Sequence, residues 1–494
     1  MISEWRPRAV RYVMGLALLC LATFERPTAA LAQFEIGLNF TGSTFRAPFG
    51  SGSTPPDTMG TVGNDHIVEL LNGRYNVYRK SDGVRVQSQT LRSFWSSSGV
   101  TAPFTSDVFD PRVVYDPASE RFFALSISSR RSANSSIVVG VSNTSDPTQG
   151  WRGFVFDADA DNTTWADFPR LGFDRDGIYA TANMLRIGDG VNKGVDVVAI
   201  PKADLVSSTP TVANATVFEN QFGLFETNLQ PIVDYDNGST PTPFVSVART
   251  IFDGKASRVN LNGPITAPTF GPVDQVQMGI YIPDLTAAQP SGVEGVESDS
   301  FAGELIRQNG ILWGTETVSI DDRAIQRWFK IDEATNTLLQ EGVIQDPDLE
   351  YYYGSIAVNE SGDVVIGFSG SGENQFISAY AALGHTDEFG NTTFDDPVLL
   401  KQGVDTYNRD FGSGRNRWGD YSATVVDPND PSTFWTFQEF VSARNEWSVQ
   451  ITELKLVPEP GRIILGIQAL IALAIVTFYT RRRPSLVTLA KRPR

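Results

Sequence analysis

The chain has 494 residues, of which 41% are hydrophobic, and its formal net charge is −17. An apolar fraction of this size excludes a largely disordered protein, and the acidic balance excludes a binder of the nucleic-acid phosphate backbone. Cys20 is the only cysteine, which excludes a disulfide framework and a thiolate metal site.

Residues 1–32 have the pattern of an export signal. Three arginines within the first eleven residues precede an apolar run, Val13–Phe24, and the small-residue sequence Ala-Leu-Ala ends at Ala32. A basic start, a short apolar segment and a small-residue cleavage site are the three parts of a secretory signal peptide. We therefore predict a signal peptide over 1–32, with a buried N-terminal helix as the alternative.

The body, residues 33–456, is predicted to be all-β. Short apolar runs alternate with turn sequences such as KSDG (Lys80–Gly83), DPASE (Asp116–Glu120), DRDG (Asp174–Gly177) and NESGD (Asn359–Asp363). Asp and Asn side chains close such turns, and Gly supplies positive φ. Repeated hairpins over more than 400 residues favour a single β-propeller of six or seven blades, with tandem β-sandwich domains as the alternative.

A resemblance to a known group covers nearly the whole body, from Pro55 to Phe440. The segments that carry it include PPDTMGTVGNDHIVELLNGRYNVYRKSDG, DPRVVYDPASERFFAL, DFPRLGFDRDGIYATANM and RWGDYSATVVDPNDPSTFWTFQEF. In this order they resemble a group of secreted, mostly uncharacterised bacterial β-propeller proteins. The resemblance implies the fold and implies no particular reaction.

The sequence DADADNTTWADF holds the clearest candidate metal ligands. Asp157, Asp159 and Asp161 alternate as in calcium-binding loops, where oxygen ligands converge on a hard cation. Asn162 replaces the glycine of an EF-hand loop and Phe168 replaces its final glutamate, which excludes an EF-hand. We predict a looser Ca²⁺ site here, with an exposed acidic turn as the alternative.

Histidine is too scarce to support common catalytic sets. His66 and His385 are the only two, and they fall in different predicted blades, so a Ser-His-Asp triad or a two-histidine zinc site is poorly supported. Catalysis would therefore fall to carboxylates, as in glycoside hydrolysis. Because the chain has 57 Asp and Glu residues, no particular pair can be chosen from the sequence.

The stretch NRWGDYSA is the candidate ligand-binding site. It combines Arg417, Trp418, Asp420 and Tyr421, and aromatic faces with polar neighbours are suited to sugar rings. The alternative, which the sequence favours, is structural: Trp418 packs between blades and Asp420 caps a turn.

The end of the chain reads as a sorting signal. Pro458, Glu459 and Pro460 precede an uncharged segment, 463–479, that is long enough to cross a membrane as a short helix. Arg481, Arg482 and Arg483 follow, as at a stop-transfer end, and 484–494 form a basic cytoplasmic tail. Residues 457–483 resemble the tail of PEP-CTERM proteins, and a plain membrane anchor is the alternative. The resemblance implies an exosortase-type processing enzyme as a partner and an association with exopolysaccharide.

Charge supports this division of the chain. The N-terminal signal carries a net charge of +2 and the segment from Val457 onward carries +6, which leaves −25 on the body. We predict an exported bacterial protein that is first anchored in the membrane and then held at or released from the cell surface. The leading functional prediction is a non-catalytic binding or matrix protein, and the alternative is a carboxylate-dependent carbohydrate-active hydrolase.

Overall fold

The computed structural model describes residues 33–221, 227–239, 241–247, 254–282, 286–292, 295–297, 303–410, 412 and 414–457. The predicted signal peptide, the Pro458-Glu459-Pro460 motif, the predicted membrane helix 463–479 and arginines 481–483 lie outside these residues. Within the described ranges, no helix has the length and apolar character needed to cross a membrane.

Strands dominate the described chain, which confirms the all-β prediction. Its helices are short: α1 (Leu91–Ser97), α2 (Lys202–Leu205) and two single 3₁₀ turns, Pro147–Gln149 and Pro290–Gly292. α1 begins where the Thr90 side chain accepts a hydrogen bond from the Ser93 amide, and it buries Leu91, Phe94 and Trp95.

After the opening strand β1 (Gln33–Thr44), the strands fall into seven antiparallel groups, numbered here as sheets in chain order; parallel bridges join the third, fourth and fifth of them into one larger sheet. Sheet 1 holds β2 (Met59–Val62), β3 (His66–Leu71), β4 (Arg74–Arg79) and β5 (Arg85–Thr90). Sheet 2 holds β6 (Val108–Asp116), β7 (Arg121–Ser128), β8 (Ser136–Ser142) and β9 (Trp151–Asp157). Sheet 3 holds β10 (Thr164–Phe173), β11 (Gly177–Arg186), β12 (Asn192–Pro201) and β13 (Thr216–Phe218).

The remaining sheets continue this plan. Sheet 4 holds β14 (Gln230–Asp234), β15 (Thr242–Ser246), β16 (Lys255–Asn262) and β17 (Thr269–Gln277), and the short strands β18 (Thr286–Ala287) and β19 (Val296–Glu297) follow it. Sheet 5 holds β20 (Leu305–Gln308), β21 (Ile311–Ile320), β22 (Arg323–Asp332) and β23 (Thr337–Ile344). Sheet 6 holds β24 (Glu350–Val358), β25 (Asp363–Gly372), β26 (Gln375–Thr386), β27 (Thr392–Phe394) and β28 (Val398–Lys401). Sheet 7 holds β29 (Ala423–Asp427), β30 (Asp430–Ala443) and β31 (Glu446–Val457), and β1 pairs with β31 at its edge.

The sheets follow one another in a cycle. The first strand of each sheet contacts the first strand of the next, in the order β2, β6, β10, β14, β20, β24 and β29, and β29 contacts β2 again. The bridges from β10 to β14 and from β14 to β20 are parallel. Four-stranded antiparallel sheets in cyclic succession are typical of a β-propeller and not of tandem β-sandwiches.

A buried carboxylate holds the opening strand in place. Glu69 of β3 is fully buried and accepts hydrogen bonds from the Ser43 amide and hydroxyl, the Asn76 amide and the Tyr78 hydroxyl, each at 2.8 Å. Because these four donors satisfy the buried charge, Glu69 links β1 to sheet 1. This contact complements the pairing of β1 with β31, so β1 connects the last sheet to the first.

The predicted turn chemistry is confirmed at three of the quoted turns. Asp116 accepts from the Ala118 amide at 3.1 Å, Asp174 accepts from the Gly177 amide at 2.8 Å, and Asn359 accepts from the Asp363 amide at 2.9 Å. These side chains close tight turns between the first and second strands of sheets 2, 3 and 6.

Candidate functional site

Bulges at one end of the innermost strands shape the candidate site. The pairing register shifts between Phe109 and Arg112 in β6 and between Asp167 and Arg170 in β10. Asp110 and Phe168, within these bulges, have φ values of 48° and 53°, in the left-handed region. In each strand the residue with positive φ is followed by a Pro-Arg pair, so the same local sequence accompanies both bulges. A β-bulge changes the direction of nearby side chains.

A cavity of about 1020 Å³ lies beside these bulges, with walls from sheets 1, 2 and 3 and from the segment before β29. Its lining is unusually rich in charge. Six aspartates line it: Asp57, Asp107, Asp110, Asp167, Asp189 and Asp420. Five arginines line it as well: Arg130, Arg131, Arg186, Arg415 and Arg417.

Asn72 holds two of the aspartates together. Its amide nitrogen donates to the Asp57 carboxylate at 2.5 Å, and its amide oxygen accepts from the backbone nitrogen of Asp110 at 2.8 Å. Asp57 is only 1% exposed, and its second carboxylate oxygen has no hydrogen-bond partner among the described residues. Burial, and then the neighbouring charges of Asp420 and Asp110, raise the pKa of Asp57 well above its ordinary value.

Asp167 is the second carboxyl group at the cavity whose pKa is raised. Its side chain is half-buried in the bulge of β10. Burial and the nearby negative charge of Asp110 raise the pKa of Asp167 to about 7, although Arg130 partly opposes this shift. A carboxyl group that exchanges its proton near neutral pH therefore faces the cavity beside a second carboxylate.

Tyr421, one of the residues predicted to bind ligand, supports the site from beneath. It is 1% exposed, and the Arg112 guanidinium lies 3.5 Å from its ring centre. The Phe168 ring packs against it at 4.9 Å, and its hydroxyl donates to Asp110 at 3.4 Å. Tyr421 does not line the cavity, so it supports Asp110 and does not contact a ligand directly.

The other three residues predicted from NRWGDYSA divide between the cavity and the core. Arg417 and Asp420 both line the cavity and form an ion pair, with nitrogen-to-oxygen distances of 2.6 and 2.8 Å. Trp418 is 1% exposed, donates to the Ser369 hydroxyl at 3.1 Å and packs edge-on against Tyr407. Trp418 is therefore packed in the core, while Arg417 and Asp420 line the candidate site.

The aspartates of the predicted calcium loop lie in the turn between β9 and β10. Asp159 is 2% exposed and accepts hydrogen bonds from the amides and hydroxyls of Thr163 and Thr164, at 2.7 to 3.1 Å. Asp157 accepts from the Asp159 amide at 3.3 Å, and Asp161 is exposed. Among the described residues, no three Asp, Glu, His or Cys side chains meet as a metal site, so Ca²⁺ binding at Asp157, Asp159 and Asp161 remains a prediction.

Neither histidine lines the cavity. His385 lies 2.7 Å from Asp363 in sheet 6, and His66 lies 3.8 Å from Asp146. Sequence reasoning did not select Asp57, Asp110 or Asp167. The repeated strings FDPRVVYD and DFPRLGFD mark two of them, because their shared Pro-Arg pair places Asp110 and Asp167 at matching bulges.

Comparison with known proteins adds little to this geometry. No protein-family model matches the chain, and no curated protein matches it. Among solved structures, a fungal alcohol oxidase of the AA5 family aligns at 11% identity over 86% of this chain and 76% of its own, with a TM-score of 0.48. The endosialidase of phage phi92 aligns at 9% identity over 72% and 67%, with a TM-score of 0.40. An endo-arabinase from Bacteroides thetaiotaomicron aligns at 13% identity over 62% and 96%, with a TM-score of 0.32. Likeness at this level carries no argument about function.

Proposed function

We propose that the chain closes into a single seven-bladed β-propeller and acts as a carboxylate-dependent, carbohydrate-active hydrolase. β1 completes the last blade, and the cavity at one end of the innermost strands is the active site. The function rests on one observation: Asp167, with a pKa raised to about 7, lies beside the carboxylate of Asp110 in a charged cavity.

Two carboxyl groups in unlike states are what glycoside hydrolysis requires. Asp167 keeps its proton near neutral pH and acts as the general acid that protonates the departing glycosidic oxygen. Asp110, positioned by Asn72 and Tyr421, acts as the carboxylate on the other side of the scissile bond. Asp57, whose pKa is raised by burial, lies below these groups and holds Asn72 in the position that binds the Asp110 backbone.

Polar groups dominate substrate recognition in this proposal. The aromatic residues at the cavity are largely covered: Trp165 is 5% exposed and Phe109 is 4% exposed. Little aromatic surface is therefore open for stacking against sugar rings. Arg417 and Asp420 provide hydrogen bonds to substrate hydroxyls instead, and the rim arginines provide them to charged substituents.

The decisive experiment measures release of reducing ends from a panel of polysaccharides. We expect D167N and D110N to lower turnover of any accepted substrate by about 100-fold or more, the usual contribution of a positioned acid or base. Asp65→Asn, an exposed aspartate outside the cavity, should retain full activity. Turnover that survives in D167N and D110N would contradict the proposal.

The second candidate function is that of a non-catalytic binding or matrix protein with a polysaccharide as its partner. It is favoured by the attachment of the Asp57 carboxylate and the Asp110 backbone to Asn72, which gives this part of the cavity a fixed geometry suited to binding. The same panel separates the two functions. Binding of a polysaccharide without release of reducing ends would support the matrix protein.

We also propose that the protein is exported and sorted to the cell surface through its PEP-CTERM-like tail, with an exosortase-type enzyme as partner. The sequence patterns at 1–32 and 457–483 support this proposal. Mass spectrometry of surface-extracted protein tests it. We expect the mature species to begin near Gln33 and to end near Pro458–Pro460, and an intact Arg494 would contradict processing of the tail.

A further inference from the structure

The rim of the cavity concentrates positive charge on a body that is otherwise acidic. Arg130 and Arg131 are exposed and line the cavity, whereas the body carries a net charge of −25. Arginines that gather at one rim of an anionic protein raise the local potential at that rim, which favours the approach of an anionic group there.

The loop that carries these arginines is held in an uncommon conformation. It connects β7 to β8, and both Ser129 and Arg131 have left-handed φ values, 60° and 54°. Non-glycine residues in this region cost about 1 kcal/mol each and persist where surrounding contacts hold them. Here the Asp107 side chain accepts from the Arg130 amide at 3.0 Å, and the Arg130 guanidinium stacks 3.9 Å from the Phe109 ring centre.

Other arginines of the cavity already have acidic partners. Arg186 pairs with Asp189, and Arg417 pairs with Asp420. In the described part of the chain, neither Arg130 nor Arg131 forms an ion pair with a carboxylate. Two exposed guanidinium groups on a preformed loop are therefore available to an anionic group of a ligand.

We propose that Arg130 and Arg131 bind a carboxylate substituent of the substrate, so that the cavity accepts acidic saccharides of the uronic-acid class. The planar guanidinium donates two parallel hydrogen bonds to a carboxylate, which matches a sugar carboxylate better than a neutral hydroxyl. This inference rests on the proposed carbohydrate-directed function and deepens it. Asp167 would then face the sugar ring while the two rim arginines bind the sugar carboxylate.

The test uses the purified D167N chain, which binds without turnover, and calorimetric titration with short oligomers of galacturonate, glucuronate and mannuronate. Each oligomer is compared with its methyl ester, which has the same ring but no charge. We expect at least one uronate to bind at least tenfold more tightly than its ester. Sulfated oligosaccharides form a further arm, and tighter binding of these than of every uronate would overturn the assignment to carboxylates.

Paired substitutions assign the effect to the loop. R130Q/R131Q should weaken uronate binding at least tenfold and leave ester binding unchanged, whereas Arg152→Gln, an exposed arginine outside the cavity, should change neither. Equal affinity for acid and ester, an unchanged affinity in R130Q/R131Q, or no binding of any uronate would overturn the inference.

The two proposals fail in different ways. If uronates bind through Arg130 and Arg131 but the wild-type chain releases no reducing ends from them, the anion site stands and the hydrolase fails. If the wild-type chain cleaves a neutral glycan through Asp167 and binds no uronate, the hydrolase stands and the anion site fails.

Discussion

Two acidic regions of this molecule use aspartate in opposite ways. In the β9–β10 turn, burial alone would raise the pKa of Asp159, but hydrogen bonds from Thr164 and Thr163 together lower it. In the cavity, burial and the neighbouring charge of Asp110 raise the pKa of Asp167 to about 7. The sequence of the turn looks more like a binding site than the sequence around the cavity does. The Asp159 carboxylate, however, already accepts hydrogen bonds from the amides and hydroxyls of Thr163 and Thr164. The comparison teaches that a raised carboxyl pKa inside a cavity, and not the density of acidic residues, marks the candidate site.

The largest expected effect lies in the cavity. D167N should reduce turnover by about 100-fold or more, equivalent to about 2.7 kcal/mol of transition-state stabilisation. D161N, an exposed aspartate of the turn, is the matched control and should leave turnover unchanged. Initial rates of reducing-end release measure both, and equal losses in the two variants would remove the distinction between the regions.

The turn should show its effect on stability and not on activity. D159A removes an acceptor of five hydrogen bonds and leaves the Asp161, Thr163 and Thr164 amides without it, so we expect a loss of about 2 kcal/mol in the free energy of unfolding. Chemical denaturation measures this loss. D161A, which removes only an exposed side chain, should change the unfolding free energy by less than about 0.5 kcal/mol.

Melting of the wild-type chain with and without added Ca²⁺ tests whether the aspartates of the β9–β10 turn also bind a metal ion. A higher melting temperature with Ca²⁺ that disappears in D157N would support the predicted metal site. An unchanged midpoint with and without chelator would leave Asp159 as a structural cap alone.

Stability should fall as the pH rises through neutrality. Burial raises the pKa of Glu439 to about 8 and, together with Asp110, raises that of Asp167 to about 7, so the folded chain binds more protons than the unfolded chain between about pH 4 and these values. A group whose folded pKa is raised stabilises least once the pH exceeds that pKa. We expect the melting temperature to decrease from pH 5 to pH 8. E439Q should flatten this decrease, and a profile as steep as that of the wild type would contradict the assignment.

The smallest expected effect is that of the conservative substitution Y421F. Y421F removes only a 3.4 Å hydrogen bond to Asp110 and keeps the ring against Arg112, so we expect a loss of about 0.5 kcal/mol and a few-fold change in turnover. Y421A also removes the ring and should destabilise the chain by about 3 kcal/mol or more. Similar unfolding free energies for the two variants would show that the ring packing contributes little.

Local sequence predicted the strands and turns well because their causes are local. The Asp116, Asp174 and Asn359 turns each close over two to four residues, and alternation along a strand needs only the next few positions. Of the residues predicted from NRWGDYSA, Arg417 and Asp420 line the cavity, whereas Trp418 and Tyr421 are buried packing residues, and ligand binding by this stretch stays a prediction. The carboxylates Asp57, Asp110 and Asp167 were missed: Asp57 has no distinguishing neighbour in sequence, and the Pro-Arg pair that marks Asp110 and Asp167 gains its meaning only from the bulges in the folded strands.

Composition and pattern alone were enough to predict an all-β body and the position of many of its turns. Those features depend on interactions between residues that are close along the chain. The cavity depends on residues from position 57 to position 420, which only the cyclic succession of sheets brings together. Burial and mutual repulsion then change the protonation of a few among many carboxylates, and both effects exist only after the sheets have packed.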